Sequence, residues 1–269
     1  MKAFNKSEKD YYTNDFYIGL HNHARQSAEV IVPLILDLLH CDRIIDIGCG
    51  DGTWLKVFQE HGVEEIAGID GNYIDENILV IPKEKFIPYD LRAPLKINEK
   101  FDLAMSLEVA EHLPENCAEL FINSLVALSS TVLFSAAIPH QGGANHINEQ
   151  WQDYWVEKFK ARGYTAIDYI RPKVWNNSEV AYWYRQNILL FINDSYLKSN
   201  YLLEEKLANY FGSTSFSAVH PSFYLLQIGA INWQDINKIN LSSPNIHKLN
   251  RQGFLAKFKN IIRGFQKNN

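Results

Sequence analysis

The chain has 269 residues, of which 46% are hydrophobic and 21% charged, and its formal net charge is −5. This is the composition of an ordinary globular protein, long enough for one packed domain with an appendage. An acidic balance speaks against a nucleic-acid partner, because phosphates are neutralised by basic surfaces.

Residues Tyr11 to Arg25 mix aromatic, polar and histidine positions without clear periodicity. From Ser27 to Leu39 the apolar residues Val30, Ile31, Leu34, Leu38 and Leu39 recur at helical spacing. The longest apolar stretches, such as Val30 to Leu36, are far shorter than the roughly 18 residues that cross a bilayer. A short apolar strand, Ile44 to Ile47, runs into Gly48, Gly50 and Gly52, and Trp54, Leu55 and Phe58 outline a helix that stops at Gly62. Strands are expected at Glu65–Ile69, Lys85–Tyr89 and Phe101–Ser106, then a helix at Pro114–Leu128 and a strand at Thr131–Ile138. Gly142-Gly143 marks a loop, Asn148–Arg162 a helix that ends at Gly163, and Thr165–Ile170 and Ile188–Ile192 two last strands.

Strands alternating with helices mean an α/β sheet, here of seven mostly parallel strands with helices on both faces. Residues 1–39 are expected to form an N-terminal helical cap, 40–193 the catalytic domain, and 194–269 a C-terminal extension. In that extension, Arg251 to Asn269 is basic and spaces Phe254, Phe258, Ile261, Ile262 and Phe265 along one helical face. Such a tail suits docking on the protein itself, or weak contact with a membrane surface or a partner protein. Three sparse cysteines, Cys41, Cys49 and Cys117, fit a reducing compartment. With a polar start and no transmembrane segment, the expected location is cytoplasmic.

The segment Asp46-Ile47-Gly48-Cys49-Gly50-Asp51-Gly52 closes a strand and opens a helix. Glycine there permits close approach of a bulky ligand, and helix N-terminal amides face whatever sits on the loop. A dinucleotide fingerprint needs its third glycine at the position of Thr53, and no phosphate-binding GxxxxGK is present. Asp70 ends the second strand, 22 residues after Gly48, where an acid can accept from both hydroxyls of a ribose.

This series resembles the class I S-adenosylmethionine-dependent methyltransferases, in particular the bacterial enzymes that act on sugars and other small molecules in surface-polysaccharide or natural-product pathways. The resemblance runs over roughly residues 40–193. It implies a Rossmann-like fold with S-adenosyl-L-methionine as cofactor. Asp46 would lie beneath the loop, and Gly48, Cys49, Gly50 and Gly52 would contact the methionine part. Asp70 would hold the ribose, and Asp90 and Leu91, after the third strand, the adenine. Leu107 and Glu108, at the exit of the fourth strand, would complete the cofactor site.

Glu108, Glu111 and His112 have i, i+3, i+4 spacing and share a face if the turn is helical. Their chemistry would suit a divalent ion, and the segment resembles the small-RNA 2'-O-methyltransferases, which hold a metal through Glu-x-x-Glu-His and a distant histidine. Relatives with the same string do without one, so no metal is expected, and Glu111 and His112 are assigned to the substrate pocket. The run Pro139 to Trp151 carries His140, His146 and Glu149. Deprotonation of an acceptor calls for a base near neutral pH, which makes His146 the first candidate and His140 the second, with Glu149 orienting the imidazole. Tyr11, His21, His23, Trp151 and Trp175 are further substrate-binding candidates. Trp183, Tyr184 and Arg185 lie in the same stretch as Trp175, between the last two strands. The expected function is methyl transfer to a hydroxyl or amine of a small molecule. The alternatives are a metal-assisted RNA 2'-O-methyltransferase and an inactive cofactor-binding partner subunit.

Overall fold

The computed structural model describes residues 14–229 and Ile231, with side chains from Asn22 onward. The elements are α1 (Asn14–Leu38), β1 (Arg43–Ile47), α2 (Thr53–Glu60), β2 (Glu65–Asp70), β3 (Phe86–Pro88), β4 (Leu103–Leu107), α3 (Ala118–Leu128), β5 (Thr131–Ser135), α4 (Gln152–Lys160), β6 (Tyr164–Ile167), α5 (Arg171–Val174), α6 (Tyr182–Asn187) and β7 (Leu189–Asn193). Beyond the last strand follow α7 (Asp194–Ser199), α8 (Tyr201–Leu207) and α9 (Pro221–Gln227).

Alternation along the strands explains why they read as unbroken apolar runs. Ile44 packs under α1 and α2 with Ile31, Ile35, Leu55 and Phe58, whereas Ile45 and Ile47 face the opposite side with Phe121, Leu125 and Phe159. A parallel sheet covered on both faces buries every residue of its central strands. The seven strands lie in the order β3-β2-β1-β4-β5-β7-β6. All pairs are parallel except those of β7, which runs antiparallel to β5 and to β6. This is the expected Rossmann-like sheet with helices on both faces. Between β1 and β4 the strand order reverses, so a crevice opens at their carboxyl ends, where α/β sheets bind ligands.

Several boundaries differ from the periodicity reading, for physical reasons. The helix expected from Asn148 begins at Gln152, because the amides of Ile147 and Asn148 donate to the Glu111 carbonyl and that of Gln150 to Ala137. The strand expected to reach Ile170 stops at Ile167, where an Asp168–Arg171 ion pair of 2.6 Å starts α5. The first helix begins at Asn14 rather than near Ser27. Leu197, Leu203 and Leu207 of α7 and α8 pack into the α1–α2 core, and Phe216 into the core on the other face. Among the described residues no helix is long and apolar enough to cross a membrane. The amphipathic stretch Phe254–Phe265 lies outside the described residues.

Phe159 is fully buried and stacks on Phe191 with ring centroids 3.9 Å apart. Phe159→Ala should therefore cost about 3–5 kcal/mol of stability, the usual penalty for emptying a core aromatic site. Urea denaturation measures it, and a loss below about 1 kcal/mol would mean that the site collapses around the gap.

Candidate active site

The loop after β1 turns on glycines at φ 88° (Gly48), 56° (Gly50) and 85° (Gly52), a region that side chains disfavour. Close packing adds a second reason at two of them. A Cβ on Gly48 would lie 2.3 Å from Val109, and one on Gly52 2.7 Å from Ile81. Gly48 and Gly52 thus let the loop settle against its neighbours, whatever ligand it also carries. The loop is tied to β2 by the Gly50 amide, which donates to Asp70 Oδ2 at 2.7 Å. The other Asp70 oxygen accepts from the Gly71 amide at 2.6 Å and from the Tyr73 hydroxyl at 2.8 Å.

Above this loop lies a cavity of about 460 Å³, within the range of small-ligand sites. Asp70, Asp90, Leu91 and Arg92 line one end, Asp46, Gly48, Cys49 and Gly50 the middle, and Leu107, Glu108, His112 and Trp183 the other. Asp46 is buried and its Oδ1 has no hydrogen-bond partner. Burial, then the charges of Asp70 and Asp51, push its carboxyl well above the ordinary aspartate range. Burial also raises Asp70, against the three donors that favour its charged form. Asp90 is lowered instead, by the Arg92 guanidinium, whose Nε and Nη2 reach it at 2.8 and 3.0 Å.

The turn after β4 is not an α-helix, and it turns Glu108 away from Glu111 and His112, which helical spacing would have put on the same face. Glu108 sits at φ 57°, which sends its side chain toward Asn187 and Gln141. Asn187 Nδ2 donates to its oxygens at 3.0 and 3.3 Å, and Gln141 Nε2 donates at 2.8 Å. Ala110–His112 then form a single 3₁₀ turn. Glu111 is fully buried, and neither carboxylate oxygen has a hydrogen-bond partner of ordinary geometry. Burial and then Glu108 push it well above the usual glutamate range. Ligand atoms of Glu111, His112 and His146 fall within 4.8 Å of one another. Burial, and then His146, lower His112 to about 4, so its ring is neutral at pH 7.

Glu149 organises the loop after β5. Its carboxylate accepts from the amides of His140 and Gly142, both at 2.7 Å, and lies 3.0 Å from His146 Nδ1. Gly143 is needed because a Cβ there would meet the His146 ring at 2.2 Å. His146 itself is not on the cavity wall. It packs edge-on behind His112, centroids 4.8 Å apart, while its neighbours Asn145 and Ile147 do reach the cavity. His140 is exposed on the outer side of the loop.

Trp151 is 45% exposed, at the start of α4 and away from the cavity. Trp175 packs on His220 at 4.7 Å, also away from it. Trp183, whose ring meets exposed His23 edge-on at 5.7 Å, supplies the aromatic wall. Tyr11 and the side chain of His21 lie outside the described residues. Sequence reasoning left out Tyr73, Arg92 and Asn187. A tyrosine three residues after Asp70 and an arginine two after Asp90 were visible as spacings, whereas nothing local marks Asn187.

A family model described as a methyltransferase domain matches residues 20–176. Among solved structures, the sugar N-methyltransferase KedS8 from Streptoalloteichus superposes with a TM-score of 0.51 at 12% identity, over 72% of this chain and 96% of its own. DesVI of Streptomyces venezuelae gives 0.50 at 14% identity, over 71% and 100%. The methyltransferase domain of a bacterial Hen1, CtHen1-C, gives 0.47 at 21%, over 63% and 98%. Curated proteins give no match.

Packing at Gly48 makes a separable prediction. Gly48→Ala should destabilise the fold by roughly 1–2 kcal/mol from left-handed backbone alone, and by more because of Val109. Adding Val109→Ala should recover the collision part, as read by urea denaturation. No recovery would mean that the contact with Val109 does not constrain the loop.

Proposed function

Since the chain belongs to the methyltransferase-domain family and is an S-adenosylmethionine-dependent enzyme, we propose that its acceptor is a hydroxyl or amine of a small molecule. A sugar, a nucleotide-linked sugar or another secondary metabolite suits the site. The residues present fit the cofactor. Buried Asp46 is part of the cavity lining, and its Oδ1 has no hydrogen-bond partner, so a donor or a positive group on a ligand would satisfy it. Asp70 would take the ribose hydroxyls, exchanging its bond to Tyr73, and Asp90 and Leu91 would border the adenine. Gly48, Cys49, Gly50 and Leu107 would border the methionine part.

The observation that carries the acceptor reading is how the cavity ends beyond Glu108. Trp183, Tyr184, Ala24 of α1, Asn145 and Ile147 are all part of its lining. An aromatic face of this kind suits a ring-sized molecule. Among the described residues the one lysine or arginine side chain on the wall, Arg92, already pairs with Asp90, so they offer a phosphodiester backbone no basic track.

S-adenosylmethionine supplies an electrophilic methyl group. The chain's residues have to align the acceptor, take its proton and exclude water. His146 is the proposed base, its ring oriented by Glu149, and neutral His112 stands between it and the cavity. His140, outside, is the weaker candidate. A second reading draws on one specific observation, the convergence of Glu111, His112 and His146. A divalent ion held there would support metal-assisted 2'-O-methylation of RNA. Its ligands would then be these three and not Glu108, whose oxygens already accept from two amides.

Calorimetry should show adenosylmethionine binding, with no comparable affinity for NAD, and Asp70→Ala should weaken it by the roughly 1–3 kcal/mol of a lost buried hydrogen-bond partner. Equal or tighter NAD binding would reject the cofactor assignment. His146→Asn should lower kcat by about 10²-fold or more, the usual contribution of a general base, and leave cofactor affinity unchanged. His140→Asn should do less. A normal His146→Asn enzyme alongside a disabled His112→Asn one would move the base to His112. Turnover should survive EDTA followed by dialysis. Loss on chelation with recovery in magnesium or manganese would favour the RNA reading.

A further inference from the structure

Among the described residues five with carboxylates, Asp46, Asp51, Asp70, Asp90 and Glu108, line the cavity against one with a guanidinium, Arg92. They are not equivalent in position. Asp70 and Asp90 follow β2 and β3, at the end where the adenosyl group is placed. The sheet order then runs from β3 through β2 and β1 to β4. A ligand anchored over β2 and laid along the carboxyl edge crosses β1 and comes next to β4, which Glu108 follows.

Glu108 is unusual in how it is held. Its left-handed backbone is secured by its own amide, which donates to the Ser135 carbonyl at 3.0 Å and lies 3.2 Å from Ser135 Oγ. A non-glycine residue in this region marks a constrained functional position. Its carboxylate is held by uncharged donors, the amides of Asn187 and Gln141 and the Ser135 hydroxyl. The two amides in turn are locked by a buried amide network. Asn187 Nδ2 donates to Gln141 Oε1 at 2.9 Å, and Gln186 Nε2 to Gln141 Oε1 at 3.2 Å and Asn187 Oδ1 at 3.1 Å. Gln186 Oε1 accepts from the His220 amide at 2.8 Å, and Gln152 Nε2 bridges the carbonyls of Gln186 and Ala218, each at 3.1 Å. The segment from Ala218 to His220, beyond the last strand, therefore braces a residue of the cavity wall.

We propose that Glu108 is a charge-selecting residue, making the cavity prefer cationic S-adenosylmethionine to neutral S-adenosylhomocysteine, and that Asn187 and Gln141 are the positioning residues that hold its carboxylate toward the sulfonium. The inference rests on the methyltransferase reading and adds how that site tells substrate from product. Methyl transfer to a hydroxyl forms a C–O bond and breaks the C–S bond, whose electron pair stays on sulfur. The sulfonium becomes an uncharged thioether, and the acceptor's proton leaves to the base. A carboxylate held beside the sulfur would lose its attraction at that moment, which would weaken the spent cofactor relative to the fresh one. Burial raises Glu108 above the ordinary glutamate range, against its donors Asn187, Ser135 and Gln141, and a sulfonium beside it would favour the charged form. Neutral amides fix the carboxylate without supplying a competing positive charge.

The test is calorimetric titration of the whole protein with each of the two compounds, and it needs no acceptor. Glu108→Gln should lower the ratio of adenosylmethionine to adenosylhomocysteine affinity by about tenfold or more, as expected for removing one charge a few ångströms away. Asn187→Leu should shift the ratio the same way by a smaller factor, and should have no further effect on it in a Glu108→Gln background. A merely structural role would weaken both ligands equally and leave the ratio alone. Glu157→Gln, which removes an exposed charge on α4, should leave it unchanged. An unaltered ratio in Glu108→Gln overturns the proposal while the methyltransferase reading stands. Failure of the wild type to bind either compound overturns that reading, and the proposal with it. A ratio that moves in Glu108→Gln but not in Asn187→Leu overturns the positioning role.

Discussion

The hydrogen bond from the Gly50 amide to Asp70 joins the two halves of the site. It ties the loop after β1 to the end of β2 across 2.7 Å, and it is accepted by a carboxylate that burial makes costly to ionise. That cost is offset by three convergent donors, so Asp70 is restrained before any ligand arrives. The glycine loop can then be held open at left-handed backbone angles, with Gly48 against Val109 and Gly52 against Ile81. Val109 adjoins Glu108, so the same close packing sets where the turn after β4 begins. The glycine loop and the turn after β4 are built on one contact surface.

Past that turn, polar groups are sorted into two buried networks. Glu108 goes with the amides of Gln141 and Asn187, and Glu111 with His112 and His146. In both, a carboxylate is removed from bulk water, where a lone charge is expensive and an additional donor or cation is favoured. Glu108 is satisfied from within the fold. Glu111 has no ordinary hydrogen-bond donor, and its nearest ligand atoms are those of the neighbouring imidazoles, His112 and His146.

The segment after the last strand contributes more than length. Arg171 donates from Nη1 to the carbonyls of Gln186 at 3.0 Å and Phe216 at 2.8 Å, and His220 fills the space between Trp175 and Gln186. Bonds of this kind couple a region of weak sequence pattern to the floor of the cavity. Buried polar networks are strong only when every member is satisfied, so the order of this segment and the placement of Asn187 depend on each other.

The sheet was legible in the sequence because its strands are short apolar runs set off by glycines, and that signal is local. The acid-ended strand, the glycine loop and Asp70 were legible for the same reason, since backbone geometry at a strand-to-helix turn restricts which residues can stand there. The helix beginning at Gln152 instead of Asn148 was not, because amides of the preceding residues bond to carbonyls tens of residues away. Nor was the separation of Glu108 from Glu111. Spacing alone puts them on one face, whereas a left-handed residue pulled toward Asn187, 79 positions later, turns them apart. Trp183 rather than Trp175 forms the aromatic wall because α6 presents it to the cavity while Trp175 is taken up by His220. The sequence by itself determined the class of fold and the glycine loop with Asp70 at the next strand's end, both written in contiguous residues. Tertiary structure alone decided which acids, amides and imidazoles meet, because those pairings join distant segments and the desolvation that gives them their chemistry exists only once the core has closed.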